Sequence, residues 1–162
     1  MPQDGPSLEE GTDPPHDAKA GSFVDDYLLY LLAAVSDRAS GQFHAHVRAH
    51  GLRAPEWRVL ACLADEDGAM VTELARLSLL EQSRLTKIID QMAARGLVSR
   101  RADPVDARRV RVFLTHQGRA QAVGLVADAR AHEARLLALL TEEEAGAIKP
   151  VLRALLARME RS

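Results

Sequence analysis

The chain has 162 residues, a length that suits about one domain, and its 47% of hydrophobic residues is ordinary for a globular protein. A net charge of −2 and a pI near 6.3 exclude a uniformly basic protein, so any contact with phosphate must come from a local excess of cations. The single cysteine, Cys62, excludes an intramolecular disulfide and suits a reducing cytoplasm. The acidic start is not typical of a signal peptide, and no apolar run is long enough to span a bilayer.

The N-terminal part predicts a tail followed by a long helix. Residues 1–21 hold four prolines and three glycines with almost no large apolar residue, so we expect an acidic, disordered tail. From Ser22 to about His50, apolar residues recur at helical spacing and predict a helix. Its apolar surface covers more than one face, which indicates a second packing neighbour such as another subunit.

The next helix is predicted over residues 54–65. Gly51 ends the preceding helix, and Pro55 lies in the first turn of the new one, where its missing N–H costs nothing. Cys62 lies in this helix between apolar neighbours, so we expect a buried and unreactive thiol.

Two short helices joined by a tight turn follow. The first is predicted from Thr72, as its N-cap, to Leu79, and the second from Gln82 to Arg95, with Gly96 as its C-cap signal. The second helix has apolar residues at i, i+3, i+4 and i+7, namely Leu85, Ile88, Ile89 and Met92. Its opposite face is polar, and the pair therefore predicts a helix-turn-helix.

A basic hairpin is predicted directly after these helices. Strand-like runs at 97–101 and 110–114 enclose a turn that carries Arg108 and Arg109, with Asp106 as the expected brace of Arg108. Such a hairpin suits a minor groove, whose potential attracts guanidinium groups. Residues 71–119 hold ten cations against five anions, which supplies the local excess that phosphate contact needs.

Two further helices complete the chain. Thr115 is predicted to cap a helix that runs to about Leu139, and Thr141 with Glu144 forms a capping box for the last helix. Pro150 is expected to kink that helix or to delay its regular part. The predicted fold class is mainly α (α+β), with a central winged helix-turn-helix between terminal helices that are too apolar to stand alone.

Several motifs carry a resemblance to a known family. They are Glu73-Leu74-Ala75, Arg95-Gly96-Leu97-Val98, Asp106-x-Arg108, Leu114-Thr115-x-x-Gly118 and, upstream, the run Gly51–Leu60. In this order and spacing they resemble the MarR family of bacterial transcription regulators, and the resemblance covers about residues 22–160.

The resemblance implies an organisation as well as a function. It implies a cytoplasmic, bacterial repressor that binds a pseudo-palindromic operator in double-stranded DNA as a homodimer and is released by a small effector, often an aromatic acid or phenol. Residues 22–50 and 116–161 would form an intertwined dimerisation domain, and residues 54–115 the DNA-binding domain.

The helix-turn-helix and the basic hairpin together indicate the residues that would contact DNA. The polar start of the second short helix supplies the major-groove candidates Gln82, Ser83, Arg84, Thr86 and Lys87, and the wing supplies Asp106, Arg108 and Arg109. The effector site that the resemblance implies would be lined by Ser36, Arg38, His44, Trp57 and Arg58, since a cation beside aromatic surface suits a ring-bound carboxylate.

Other functions have less support from the sequence. No phosphate loop, nucleophile elbow or metalloprotease motif is present, so we expect neither an enzyme nor a cofactor. His46 and His50 have the spacing of a zinc pair, but no third strong ligand lies near them in the sequence, and we expect solvated histidines and no metal. A winged helix used only for protein contact, and a redox- or metal-sensing regulator, stay as alternatives.

Overall fold

The computed structural model describes residues 23–161, so the tail predicted at 1–21 lies outside the described residues. The described residues divide into two compact units, one that ends at Ser36 and one that begins at Asp37. In the first unit, α1 (Phe23–Asp26) is followed by the start of α2 (Leu28–Ala49). The continuous helix predicted from Ser22 is interrupted at Tyr27, whose ring stacks on Phe23 with the ring centroids 4.9 Å apart.

The second unit begins within α2 and contains all the remaining elements. In chain order they are α3 (Ala54–Asp65), β1 (Ala69–Met70), α4 (Val71–Ser78), α5 (Gln82–Ala94), β2 (Val98–Ala102), β3 (Val110–Leu114), α6 (His116–Leu137) and α7 (Glu142–Met159). The mainly helical fold class with a small antiparallel sheet is therefore confirmed. Among residues 23–161, no helix has both the length and the hydropathy needed to cross a lipid bilayer.

The helix-turn-helix consists of α4 and α5. Leu85, Ile88, Ile89 and Met92 on the inner face of α5 are all buried, as their spacing predicts. The start of α4 differs from the prediction, because Met70 and not Thr72 is its N-cap. Met70 ends β1 in an extended conformation, so the strand leads directly into the helix. Leu79 links the two helices in the left-handed conformation, with a φ of 56°.

The sheet has three antiparallel strands in the order β1-β3-β2. The wing register pairs Val98 with Leu114 and Arg100 with Val112, so Val98, Val112 and Leu114 lie buried on one face. The two-residue β1 pairs Ala69 with Val112 at the other edge of β3. This strand was not predicted, because two residues are too few to show an alternating pattern.

Both predicted caps of the last two helices are confirmed. Thr115 accepts a hydrogen bond from the amide of Gly118 at the start of α6, and Thr141 forms the capping box with Glu144 at the start of α7. Helix α7 begins at Glu142 and continues through Pro150, so its regular part is not delayed.

Gly118 allows α6 to lie directly against the start of the wing. An added Cβ at this position would stand 1.9 Å from the carbonyl oxygen of Leu97. The Thr115 hydroxyl donates to the Gly96 carbonyl oxygen at 2.6 Å, and the Thr115 amide donates to Leu97 at 3.1 Å. The Leu-Thr-x-x-Gly motif therefore packs the start of α6 onto the segment between α5 and β2.

We expect Gly118→Ala to lower the free energy of unfolding by about 1–3 kcal/mol or more, because the obstructing atoms belong to the backbone and cannot rotate away. Urea unfolding followed by circular dichroism measures the change. Gly124→Ala in the same helix is the matched control, because nothing lies within 4 Å of its added Cβ. That variant should be unchanged or more stable by up to about 1 kcal/mol. Equal stability of the two variants would contradict the close packing.

Candidate nucleic-acid interface

The first turns of α5 present a polar surface to solvent. Gln82, Ser83, Arg84 and Lys87 are exposed, and Thr86 is half-buried. The Thr86 hydroxyl donates to the Gln82 carbonyl oxygen one turn earlier, at 3.0 Å. Four of the five helical candidates are thus fully available to a ligand, and Thr86 has already used its donor within the helix.

Asp103 holds the wing in place from its base. Its side chain is only 6% exposed. One carboxylate oxygen accepts from the amides of Val105 and Asp106, and the other accepts from the guanidinium of Arg111. Arg111 also donates to the Gly68 carbonyl oxygen at 3.0 Å. The hydrogen bond from Arg111 and those from the two amides lower the pKa of Asp103 to about 2.

Asp106 has a different partner from the one expected. Its carboxylate accepts from the backbone amide of Arg108 at 3.1 Å, and its ion pair is with the guanidinium of Arg109, at 3.3 Å. Asp106 therefore fixes the backbone at Arg108 and the side chain of Arg109, while the Arg108 side chain remains exposed and unpaired among the described residues.

A concavity of about 550 Å³ separates α5 from the wing. It brings together Gln82 and Thr86 from the helix with Arg108 and Arg109 from the wing. Ser83, Arg84 and Lys87 lie on the exposed surface of α5 outside this lining. The structure thus places both predicted groups of contact residues around one surface, which is open to a polyanion.

Most cations of this region are already paired within the protein. The seven paired ones are Arg76 with Glu73, Arg95 with Glu56, Arg100 with Asp90, Arg101 with the ring of Phe113, Arg109 with Asp106, Arg111 with Asp103 and Arg119 with Asp67. The other three, Arg84, Lys87 and Arg108, form no ion pair with any residue between 23 and 161. All three had been predicted from the sequence as DNA contacts.

A buried carboxylate fixes the far end of α5. Glu56 is 1% exposed and accepts hydrogen bonds from the amide and guanidinium of Arg53 and from the guanidinium of Arg95. Burial opposes the charge of Glu56, but its bonds to Arg53 and the charges of Arg53 and Arg95 outweigh burial and lower its pKa. Arg95 also donates to the Gly51 carbonyl oxygen at 2.6 Å.

Sequence reasoning missed these anchoring residues. The spacing of Arg53 and Glu56 gives a capping-box signal, which could have found the local half of the Glu56 network. Nothing in the sequence links Glu56 to Arg95, because 39 residues separate them. Asp103 lies in the predicted turn between the two strands, and the tendency of an Asp side chain to accept bonds from the amides of its own turn could have identified its role.

A second cavity of about 290 Å³ lies between α2, α3 and α6. It brings together three of the predicted effector residues, His44, Trp57 and Arg58. Phe43 lies edge-on to Trp57 with the ring centroids 5.3 Å apart. Burial, and then the charges of Arg58 and Arg48, lower the pKa of His44. This cavity is therefore aromatic, with an uncharged imidazole beside the guanidinium of Arg58 at neutral pH.

The two other predicted effector residues are placed differently. Arg38 is exposed on α2 and does not line this cavity. Ser36 belongs to the first of the two compact units. The cavity lies wholly within the second unit, so its lining supports only part of the predicted set.

Cys62 is half-buried, where full burial was expected. Burial, and then the negative charge of Asp65, raise the pKa of its thiol. A raised pKa favours the protonated form, which is the less reactive one.

A basic wing beside the exposed face of α5, with both elements fixed by buried carboxylates, defines a winged helix-turn-helix protein. The family model described as "MarR family" matches residues 52–110. HTH-type transcriptional repressor Rv2887 of Mycobacterium tuberculosis (strain ATCC 25618 / H37Rv) is 32% identical over 126 residues, which cover 78% of this chain and 88% of that protein. The chain belongs to the MarR family, whose members bind DNA and regulate transcription without being enzymes.

Solved structures give the same assignment. A MarR family transcriptional regulator from Silicibacter pomeroyi DSS-3, SPO1453, shares 64% sequence identity with a TM-score of 0.78, covering 85% of this chain and 98% of that chain. The complex of Rv2887 with salicylic acid shares 31% identity with a TM-score of 0.64, covering 79% and 95% of the two chains. Among sequence relatives, HTH-type transcriptional regulator TtmR of Methylorubrum extorquens (strain PA1) is 34% identical over 93 residues. These residues cover 57% of this chain and 46% of TtmR, so the match spans about half the length of that relative.

We expect Asp103→Asn to destabilise the protein at pH 7, because the charged carboxylate is lost from the base of the wing. The folded pKa of about 2 lies below the ordinary value of 3.8. The carboxylate therefore stabilises the fold above about pH 4, and this contribution disappears as the pH falls towards 2. Urea unfolding between pH 7 and pH 2.5 measures the free energy of unfolding of the wild type and of Asp103→Asn. The difference between these two free energies should shrink as the pH falls.

Asp90→Asn is the matched control for this substitution. Asp90 forms an exposed ion pair with Arg100, and such pairs contribute little to stability. A gap between wild type and Asp103→Asn that stays constant across the pH range would contradict the role assigned to the Asp103 charge.

Proposed function

We propose that this chain is a ligand-responsive repressor that binds a pseudo-palindromic operator as a homodimer. In this proposal α5 enters the major groove, the wing enters the adjacent minor groove, and bound protein blocks the promoter. The observation that carries the proposal is the placement of Arg84, Lys87 and Arg108. They are the three cations of the DNA-binding head (residues 71–119) without a partner among the described residues. An exposed cation without an internal partner is available to a phosphate or a base edge.

The geometry around these cations supports two kinds of contact. Arg84 and Lys87 lie in the first half of α5, whose N-terminal residues are the ones that meet base edges in helix-turn-helix proteins. An arginine can bind guanine O6 and N7 with two hydrogen bonds, while a lysine more often contacts phosphate. Arg108 extends from the wing tip, where the narrow minor groove favours a guanidinium group.

Exposed apolar surface on α7 supports the homodimer. The large apolar side chains of this helix are all more than a third exposed, namely Ile148, Val151, Leu152, Leu155, Leu156 and Met159. A helix with so much apolar surface commonly belongs to an interface. Two copies joined in this way would present two α5 helices, and half-sites on one face of a duplex require them about 34 Å apart.

The double substitution Lys87→Ala with Arg108→Ala tests DNA binding. We expect the affinity for a duplex selected by the protein from random DNA to fall at least about 10-fold, because each lost contact typically contributes 1 kcal/mol or more. The slope of log affinity against log salt concentration should also become shallower by about 1–2, because fewer counterions are released. Fluorescence anisotropy across a salt series measures both quantities.

Lys149→Ala is the control for this experiment. Lys149 lies on α7, where it pairs with Glu133, so this variant removes one positive charge outside residues 71–119. Sedimentation should show that all variants keep the mass of the wild type. Unchanged operator affinity in the double variant would overturn the assignment of α5 and the wing. Wild-type protein with no salt-dependent DNA binding would favour the alternative, a winged helix used only for protein contact.

The cavity lined by Trp57 and Arg58 supports an aromatic carboxylate as the effector. Phe43 and Trp57 supply ring surface, and Arg58 supplies a guanidinium that can pair with a carboxylate. Rv2887, a member of the same family, has been crystallised with salicylic acid. An effector acts only if it binds the DNA-competent and the DNA-incompetent arrangement with different affinities.

We expect Arg58→Met to weaken binding of salicylate, used as the probe, by about 10-fold or more, because the charged partner of the carboxylate is lost. Isothermal titration calorimetry on the free protein measures this affinity. Arg38→Met is the matched control, because Arg38 is an exposed cation of α2 outside the cavity. The assignment of the cavity fails if both variants bind salicylate as the wild type does, or if only Arg38→Met is impaired.

Redox sensing has less support than ligand sensing. The raised pKa of Cys62 disfavours the thiolate that oxidation requires, and the side chain is half-buried. The sequence contains no second cysteine that could form an intramolecular disulfide with it.

A further inference from the structure

Three side chains form a cluster outside both sites described above. His46 lies in the last turn of α2 and His50 directly follows that helix, with their ring centroids 4.5 Å apart. Asp128 approaches from α6, and its Oδ2 lies 2.7 Å from Nε2 of His46. One potential metal-ligand atom from each of the three residues lies within 4.8 Å of the others. The third ligand that the sequence did not reveal is therefore present, 82 residues away from His46.

The hydrogen bonding of His50 suits a metal ligand. Its Nδ1 lies 3.0 Å from the carbonyl oxygen of His46. A carbonyl oxygen can only accept, so Nδ1 carries the hydrogen, and in the neutral ring Nε2 keeps its lone pair. Histidines that bind metals commonly donate their other ring N–H to a backbone carbonyl in this way, which fixes the tautomer and the ring orientation.

We propose that His46, His50 and Asp128 bind a divalent transition-metal ion, with Zn²⁺ as the ion that fits best. Two imidazole nitrogens and one carboxylate oxygen are ligands that Zn²⁺ prefers, and solvent would complete a tetrahedral shell. On binding, Nε2 of His46 must carry no hydrogen, so that its lone pair and an Asp128 oxygen both face the ion, which replaces their direct contact.

The required adjustment of the side chains is small. Zinc bonds to nitrogen and oxygen of about 2.0–2.2 Å place two tetrahedral ligand atoms about 3.4 Å apart. The His46 and Asp128 atoms must therefore separate by less than 1 Å from their present contact. Both side chains are nearly half exposed, at 42% and 47%, so rotation is not blocked by packing. Arg135 lines the adjoining surface cavity, and its charge would moderate the affinity for a cation.

The cluster lies between α2 and α6, next to the hydrogen bond that attaches the end of α5 to Gly51. The backbone carbonyl of His50 accepts a hydrogen bond from the Gln121 side chain of α6 at 2.9 Å. The next residue, Gly51, accepts from Arg95 at the end of α5. A bound ion would therefore cross-link two helices at the segment that holds α5 in place, and it should stabilise the folded chain by mass action.

The test uses the untagged full chain, freed of metal by a chelator and then titrated with Zn²⁺ in calorimetry. We expect one ion per chain, with Co²⁺ giving the visible absorption of a tetrahedral site. His50→Gln and Asp128→Asn should each weaken Zn²⁺ binding by about 100-fold or more, since even the outer partners of metal ligands are commonly worth 10–100-fold. Zn²⁺ should raise the melting temperature of the wild type but not that of His50→Gln.

His116→Gln is the matched control, because His116 is an exposed histidine at the start of α6, outside the cluster. It should bind Zn²⁺ as the wild type does. Equal Zn²⁺ affinity in wild type, His50→Gln and Asp128→Asn would overturn the proposal. So would the absence of wild-type binding up to about 1 mM Zn²⁺, which would leave the contact between His46 and Asp128 as an ion pair only. Both readouts are independent of DNA.

Discussion

The orientation of α5 depends on the buried carboxylate of Glu56. Glu56 has almost no contact with solvent, yet the surrounding cations keep it ionised. A buried carboxylate of this kind destabilises a fold unless its partners are in place. Arg95 is one of those partners and lies at the end of α5, while Arg53 is the other and also contacts Gln91 within α5. The cost of leaving Glu56 unpaired therefore holds α5 at a fixed distance from the start of α3, and the exposed face of α5 takes its direction from this attachment.

The wing is oriented by the same kind of interaction. Asp103 satisfies its carboxylate with two amides of its own turn and with Arg111 on β3, and Arg111 reaches on to Gly68 before β1. The turn, the central strand and the edge strand are thus joined through one carboxylate. At the other end of β3, the Leu114 amide donates to the side chain of Asp67 at 2.8 Å. Charged groups therefore connect the short strands of the sheet to the turn and to the segment before β1.

The sequence predicted the elements whose physical causes are local. The inner face of α5, the strand β3 and the Thr115 cap follow from spacing over a few residues, and each was placed within one or two residues of its observed position. Elements that depend on distant partners were not predictable. The strand β1 exists only because β3 lies beside it, and the pairing of Glu56 with Arg95 needs the folded chain. The exposure of Gln82, Ser83, Arg84 and Lys87 was predictable because it depends only on which face of α5 is apolar, and not on a distant partner.

The residues that hold α5 and the wing in place differ from those that we propose to contact DNA. The residues that hold α5 and the wing in place are paired within the protein, whereas Arg84, Lys87 and the side chain of Ser83 contribute little to its packing. Substitutions on that outer face are therefore nearly free of folding cost, since exposed positions away from packing and caps tolerate change. Gene duplication followed by drift at these few positions could yield a set of regulators that share one scaffold and yet recognise unrelated promoters.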